Sequence, residues 1–285
     1  MSIENIVQRE QHKLNKTNID NTSIIAFRIL DGIKDILDED RKQSQPLFLS
    51  INEKMLMMIV KNIIDNPQKH YMVGITGESA SGKTTLVNNI SEAMRKKLFD
   101  DAYTCIYCDD YYIDTSKELK DAGSYENLYK TGFSFDTPKA INLDLMRAHL
   151  ISLKNGCGIY GPEYDFVSCE STPNRIYKKP TRAILSEGLY VLGEELADLF
   201  DIKVYVYTPF DKIKERWFSR AISRGKTGAA AEHQFKDVTQ TAQIHIRPTM
   251  QKADIVINGL TSAEYIEQIS TRMINLIRDI INFYK

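Results

Sequence analysis

The sequence predicts an α/β fold in which a parallel sheet carries helices on both faces. Three observations carry that prediction. From Tyr71 onward, short β-rich runs alternate with helical stretches, the pattern left by crossover connections between parallel strands. One such run, Tyr71-Met72-Val73-Gly74-Ile75-Thr76, leads directly into a Gly/Ser-rich turn and then an amphipathic stretch. The chain is 42% hydrophobic and 26% charged, a globular mix with ample material for a buried core.

The elements follow in order. Residues 1–66 read as a helical extension. Ile24, Ile25, Phe27, Ile29, Leu30, Ile33, Ile36 and Leu37 recur at helical spacing, and Met55, Leu56, Ile59, Val60, Ile63 and Ile64 do so again after a break at Pro46. Asn52 is positioned to cap the second of these helices, and Asn66-Pro67 to end it. The charged stretch from Asp38 to Lys42 reads as a solvated helix end. The extension carries no catalytic motif, and core packing or subunit contact is its simplest use.

Beyond it lies a second unit over residues 67–285. After Tyr71–Thr76, the candidate strands are Tyr103–Cys108, Ala183–Leu185, Lys203–Tyr207 and Asp254–Ile257. Helical patterns run over Thr84–Phe99, Asn142–Lys154, Phe210–Ser223 and from Ala263 to the C-terminus. The stretch from Gly156 to Lys179 is richer in Gly, Pro and Tyr and reads as an inserted β-hairpin rather than another crossover.

Composition excludes several function classes. Lys plus Arg number 37 against 38 Asp plus Glu, a net charge of -1, so the chain lacks the bulk positive charge of a nucleic-acid binder. Its longest conspicuous apolar run, Met55 to Val60, falls far short of the ~20 residues of a membrane span, and the first twenty residues hold no apolar core of a secretory signal. With 4 cysteines there is no disulfide framework, as expected of a cytoplasmic protein. Cys105 and Cys108 form a C-x-x-C within a strand, which directs them to opposite faces and argues against a zinc or redox pair.

The turn after the first β run, Gly77-Glu78-Ser79-Ala80-Ser81-Gly82-Lys83-Thr84, fits G-x-x-x-x-G-K-[ST] without departure. Gly77 and Gly82 permit backbone angles closed to other residues, so successive N–H groups can turn inward around an anion. The helix beginning near Gly82 adds its positive end. Lys83 can reach the β- and γ-phosphates and Thr84 can offer its hydroxyl to Mg²⁺, with Thr85 following. These features imply a nucleotide's phosphate tail with Mg²⁺. No N-K-x-D guanine reader and no L-S-G-G-Q signature follows, which leaves a small kinase as the best fit among phosphate-loop classes.

Phosphoryl transfer to a hydroxyl needs a carboxylate near the acceptor, acidic support for the metal shell and cations over the transferred group. Asp109-Asp110-Tyr111-Tyr112 ends one strand and Glu187 ends another, at the carboxyl edge where open parallel sheets bind ligands. Arg216, Arg220, Arg224 and Lys226 lie on a helix and its Gly-containing end, a lid spanning about 214–235. Singly, each is also explained by a cap, a turn or a solvated face. Their order behind the phosphate loop favours the site.

From about Tyr71 to Gly259 the sequence resembles the uridine kinase and phosphoribulokinase family of P-loop kinases. Besides the phosphate loop, the resemblance rests on Asp109-Asp110-Tyr111-Tyr112, Phe135-Asp136-Thr137-Pro138, Pro162-Glu163-Tyr164-Asp165-Phe166, Ser186-Glu187-Gly188, the arginine lid, and Ala253-Asp254-Ile255-Val256-Ile257. It implies a P-loop NTPase fold of nucleoside-monophosphate-kinase type with a five-stranded parallel sheet, MgATP as donor, and homo-oligomers. It also implies that Asp109 is the acceptor-side base and that Lys83, Arg220 and Arg224 face the phosphates. Glu187 belongs, on the same grounds, to the metal and catalytic shell. Asp136 is implied to hold ribose hydroxyls, with Tyr112, Tyr164 and Gln234 lining the acceptor pocket.

Departures fall where the base is read. Thr137 and Cys169 stand at positions where uridine kinases carry His, Trp217 replaces one of two adjacent lid arginines, and the lid is one residue shorter. The expectation is therefore an ATP-dependent kinase of a small hydroxylated acceptor, foremost the 5′-hydroxyl of uridine or cytidine. A sugar phosphate or small carboxylated alcohol as acceptor stays open, as does a nucleotide-binding interaction protein without catalysis.

Overall fold

A computed structural model describes residues 21–98, 102–223 and 227–284. In chain order the main elements are α1 (Asn21–Asp40), β1 (Phe48–Ile51), α2 (Glu53–Asp65), β2 (Tyr71–Thr76), α3 (Lys83–Lys97), β3 (Tyr103–Tyr107), α4 (Ser116–Ala122), α5 (Tyr125–Lys130), α6 (Leu143–Lys154), β4 (Ile159–Asp165), β5 (Glu170–Lys178), β6 (Ala183–Glu187), β7 (Ile202–Tyr207), α7 (Phe210–Ser223), α8 (Gly228–Thr241), β8 (Ile255–Asn258) and α9 (Ala263–Phe283).

The main sheet has the order β1-β8-β7-β2-β6-β3. It contains six strands rather than five. The five expected strands pair in parallel, and β1 joins β8 antiparallel, with Phe48 opposite Ile257 and Ile51 opposite Ile255. The additional strand comes from the leader and covers the edge that β8 would otherwise expose. Only four residues long, it is held from outside itself: the Asp40 carboxylate accepts hydrogen bonds from the Leu47 and Phe48 N–H groups at 2.8 and 2.9 Å. Asp40 is fully buried, which corrects the reading of Asp38–Lys42 as merely a solvated helix end.

Helix α1 packs on α2 and α9 through Ala26, Ile29, Ile33, Leu37 and Val60, backed by Met273, Leu276 and Ile280. Gly32 makes this approach close, because a Cβ there would lie 2.6 Å from a Leu276 methyl. The Asn52 side chain caps α2 by accepting from the Met55 N–H at 3.1 Å. The central strands are buried on both faces, with Met72, Ile106 and Ile184 in one apolar layer and Ile75, Val204 and Val206 in the other. Cys105 packs with the second layer and Cys108 with the first, and both are free thiols.

β4 and β5 form a separate antiparallel hairpin running from Ile159↔Lys178 to Asp165↔Glu170. Over the stretch expected to form a lid, two helices, α7 and α8, pack through Ile213, Trp217, Ala231, Phe235 and Val238. A π turn, Ala242–Ile246, carries α8 on to Arg247. Arg224 and Lys226 lie outside the described residues. Among the described residues, no helix is long and apolar enough to cross a membrane.

Candidate active site

The phosphate loop runs from the end of β2 into α3, and its glycines are required by geometry. Gly77 has φ 153° and a side chain on it would meet the Val206 carbonyl; Gly82, with φ 98°, is the left-handed residue that starts α3. Thr208 Oγ1 donates to the Ser81 carbonyl at 2.8 Å, tying the loop to the end of β7. The Ser81 hydroxyl is buried and has no hydrogen-bond partner among the described residues, so the loop carries a polar group that a phosphate oxygen would satisfy.

Lys83 and Glu187 form the buried centre. Lys83 Nζ donates to the Glu78 carbonyl at 3.1 Å and lies 4.0 Å from Glu187 Oε1. Burial pushes the Lys83 ammonium pKa down, against the upward pull of Glu187 and Asp109. Burial likewise raises Glu187, opposed by Lys83 and reinforced by Asp109. Thr84 Oγ1 donates to Glu187 Oε2 at 3.2 Å. A hydroxyl beside a carboxylate fits Mg²⁺, which keeps most of its waters and takes one or two protein oxygens. Three or more clustered His, Cys, Asp or Glu side chains, as a closed metal cage needs, do not occur among the described residues.

Side chains of α7 reach this centre. Arg220 donates to Ser79 Oγ at 2.6 Å, and Arg216 donates to the Gly259 carbonyl at 2.9 Å. A cavity of about 420 Å³ opens between Arg216, Thr85, Gly259 and Thr261 on one side of the loop. On the other side lies a cleft of about 510 Å³. Its phosphate end is formed by Ser79, Ala80, Lys83, Thr84, Asp109, Glu187 and Arg220, and its far end by Tyr112, Tyr125, Phe135, Tyr164, Phe166 and Cys169, with Asp136 and Gln234 also on its wall. The rings enclose that end closely: Tyr112 lies 5.2 Å from Tyr164 and 5.8 Å from Phe166 between centroids.

The cleft thus brings together Lys83, Thr84, Asp109, Tyr112, Asp136, Tyr164, Glu187, Arg220 and Gln234. Asp110 is not among the lining residues; burial pushes its pKa up to about 6, opposed by Lys178 and reinforced by Asp109 and Glu163. Glu78 belongs to the loop, but its side chain pairs with Arg247. The sequence pattern alone does not mark Tyr125, Phe135 or Phe166 as lining residues, or Arg247 at all. Phe135 and Phe166 sit inside the Phe135-Asp136-Thr137-Pro138 and Pro162-Glu163-Tyr164-Asp165-Phe166 motifs, which offer a signal for them; Tyr125 arrives from a short helix with no periodic signal. Cys169 occupies a left-handed turn position, φ 57°, between β4 and β5, and its sulfur is 3.2 Å from the Tyr125 hydroxyl.

A phosphate loop entering a helix at the carboxyl edge of a parallel sheet, with Asp109 and Arg220 of α7 on the same cleft, has the arrangement of a P-loop small-molecule kinase. The profile of the Phosphoribulokinase / Uridine kinase family matches residues 72–265, and the chain belongs to that family. It is 34% identical over 189 residues to the uridine kinase of Borrelia turicatae, covering 65% of this chain and 85% of that one. It is 32% identical over 217 residues to the uridine kinase of Borrelia duttonii, covering 75% and 98%. Among solved structures, a protein of Silicibacter sp. TM1040 described as a fructose transport system kinase shares the fold, with a TM-score of 0.50 at 16% identity over 81% of this chain and 98% of that one. The chain is an ATP-dependent phosphotransferase of the uridine kinase/phosphoribulokinase type.

Proposed function

We propose that the protein transfers the γ-phosphoryl group of ATP to the 5′-hydroxyl of a pyrimidine nucleoside, uridine or cytidine, in the cytoplasm. One observation carries the choice of acceptor. Among the described residues lining the cleft, the cations are Lys83 and Arg220, both at the phosphate end, while the far end is aromatic. An acceptor that already bears a phosphate would bury a dianion against rings and Asp136, which is costly without a paired cation. A neutral acceptor with a flat ring and hydroxyls avoids that cost and gains ring contacts. The relatives named uridine kinases support the same reading.

In this mechanism the loop amides and Lys83 hold the β- and γ-phosphates, and Arg220 covers the transferred group from the lid. Asp136 and Gln234 hold ribose hydroxyls, Tyr112 and Tyr164 enclose the base, and Asp109 accepts the proton of the attacking hydroxyl. Mg²⁺ bound by Thr84, with Glu187 in its shell, would neutralise charge on the phosphates. Most of the acceleration then comes from alignment and fixed charges rather than covalent chemistry.

A panel of acceptors with labelled ATP tests the proposal: turnover is expected on uridine and cytidine. Turnover on a sugar phosphate, with none on pyrimidine nucleosides, would overturn the acceptor while leaving the kinase intact. Thr137 and Cys169 stand where imidazoles would read the base, so discrimination between pyrimidines rests on shape and stacking.

A further inference from the structure

We propose that Arg247 is a positioning residue for the phosphate loop. By pairing with Glu78 it cancels a negative charge on the phosphate loop and ties that loop to the end of α8. The problem it solves is visible in the loop itself. An anion-binding turn carries a carboxylate directly after its first glycine, and Glu78 is largely buried, its side chain 14% exposed. An uncompensated carboxylate there would repel the phosphates the loop is built to hold.

Arg247 Nε donates to Glu78 Oε1 at 2.9 Å and Nη2 to Oε2 at 3.0 Å, a two-pronged pairing that fixes the carboxylate in plane with the guanidinium. The guanidinium also lies 5.8 Å from the centre of the Phe210 ring, the first residue of α7. Arg247 itself directly follows the π turn that ends α8, and such turns recur at functional sites. One side chain therefore joins the loop, the start of the first lid helix and the end of the second. Lysine would supply the charge but not the fork.

The inference rests on the loop's binding a nucleoside triphosphate, and direct binding to the full chain separates the two. MgATP, MgADP and adenosine are titrated into wild type, Arg247→Gln and the double variant Glu78→Gln/Arg247→Gln. Arg247→Gln is expected to weaken MgATP on the order of tenfold, MgADP less and adenosine not at all, with the loss shrinking as salt is raised. The double variant is expected to return to within about threefold of wild type, because no carboxylate is left unpaired. Unchanged MgATP affinity in Arg247→Gln, a double variant as weak as the single, or equal weakening of all three ligands would each overturn the role. If Arg247→Gln does not fold, Arg247→Lys takes its place: severalfold weaker MgATP with unchanged adenosine supports the role, and unchanged MgATP overturns it. No MgATP binding by the wild-type chain would overturn the nucleotide-site reading, and this role with it.

Discussion

Replacing Lys83 by Met removes the central cation of the site while keeping an unbranched side chain of similar length. Lys83 is buried, donates to the Glu78 carbonyl at 3.1 Å and sits 4.0 Å from Glu187. In the loaded site its ammonium would bond to phosphate oxygens, and a hydrogen bond between charged groups contributes roughly 1.5–3 kcal/mol. At about 1.4 kcal/mol per tenfold, the direct loss in MgATP affinity is roughly 10- to 150-fold. Turnover should fall further, by on the order of 10³, because charge shifts onto the phosphate oxygens in the transition state. The variant also removes the larger of the two influences that lower the Glu187 pKa, leaving only the Thr84 hydrogen bond against burial and Asp109, which raise it. In the proposed mechanism Glu187 serves the metal shell in its ionised form, so residual activity should be lost at a higher pH than in wild type as pH falls. The sole tryptophan of the chain, Trp217, lines the cleft and packs in the lid, so its fluorescence can follow MgATP titration alongside steady-state turnover. MgATP affinity within twofold of wild type together with turnover within threefold would refute the role of Lys83.

Asp109→Asn should leave MgATP binding within about twofold while lowering turnover by ~10²-fold or more, as loss of a general base requires; Asp110→Asn should keep most activity, and the opposite ranking in a rate assay would exchange their roles. Asp110 gives a stability test as well. Its folded pKa of about 6 lies above the ordinary 3.8, so its contribution to stability is fully present below the ordinary value and is lost as pH rises through about 6. Asp110→Asn should therefore gain stability over wild type at pH 8, by about 1 kcal/mol once solvent screening is allowed for, and lose that gain near pH 4. Urea unfolding at both pH values decides it. Gly32→Val forces a branched side chain into Leu276 and should cost about 1–3 kcal/mol in urea unfolding, with MgATP binding by the folded protein unchanged; no loss of stability would mean that α1 does not pack against α9 as described.

Much of the site was legible because the motifs obey strict local geometry. The phosphate loop is read from eight consecutive residues whose spacing has a mechanical cause, and Asp109 and Glu187 are found because strands of a parallel sheet all end at one edge. What escaped is set by distant partners. β1 is four residues with no alternation long enough to register, and the N–H groups of Leu47 just before it and Phe48 at its start are held by Asp40 from the preceding helix. Asp40 in turn sits in a charged run that reads as solvated until its buried position is known. α8 begins Gly-Ala-Ala-Ala, a stretch with no apolar period, and becomes a lid helix by packing Ala231, Phe235 and Val238 against α7. Tyr125 joins the cleft because its hydroxyl donates to the Phe166 carbonyl at 2.8 Å in the hairpin turn, a contact between segments with no shared motif.

The partners of the site's cations sort them by task. Lys83, Arg216 and Arg220 each have a hydrogen bond to a neutral oxygen, the Glu78 carbonyl, the Gly259 carbonyl and the Ser79 hydroxyl respectively, and Lys83 also lies 4.0 Å from the Glu187 carboxylate. Exchanging such an acceptor for a phosphate oxygen turns an ordinary charged–neutral bond into a charge–charge one, so each exchange favours the bound state. Arg247 is held differently, by both oxygens of a largely buried carboxylate. Drawing it toward a phosphate would leave Glu78 buried and unpaired, at a cost of several kcal/mol. In the proposed mechanism Lys83 and Arg220 exchange these bonds for phosphate oxygens, while Arg247 stays with Glu78. That division lets an acidic residue sit in an anion-binding loop without opposing it.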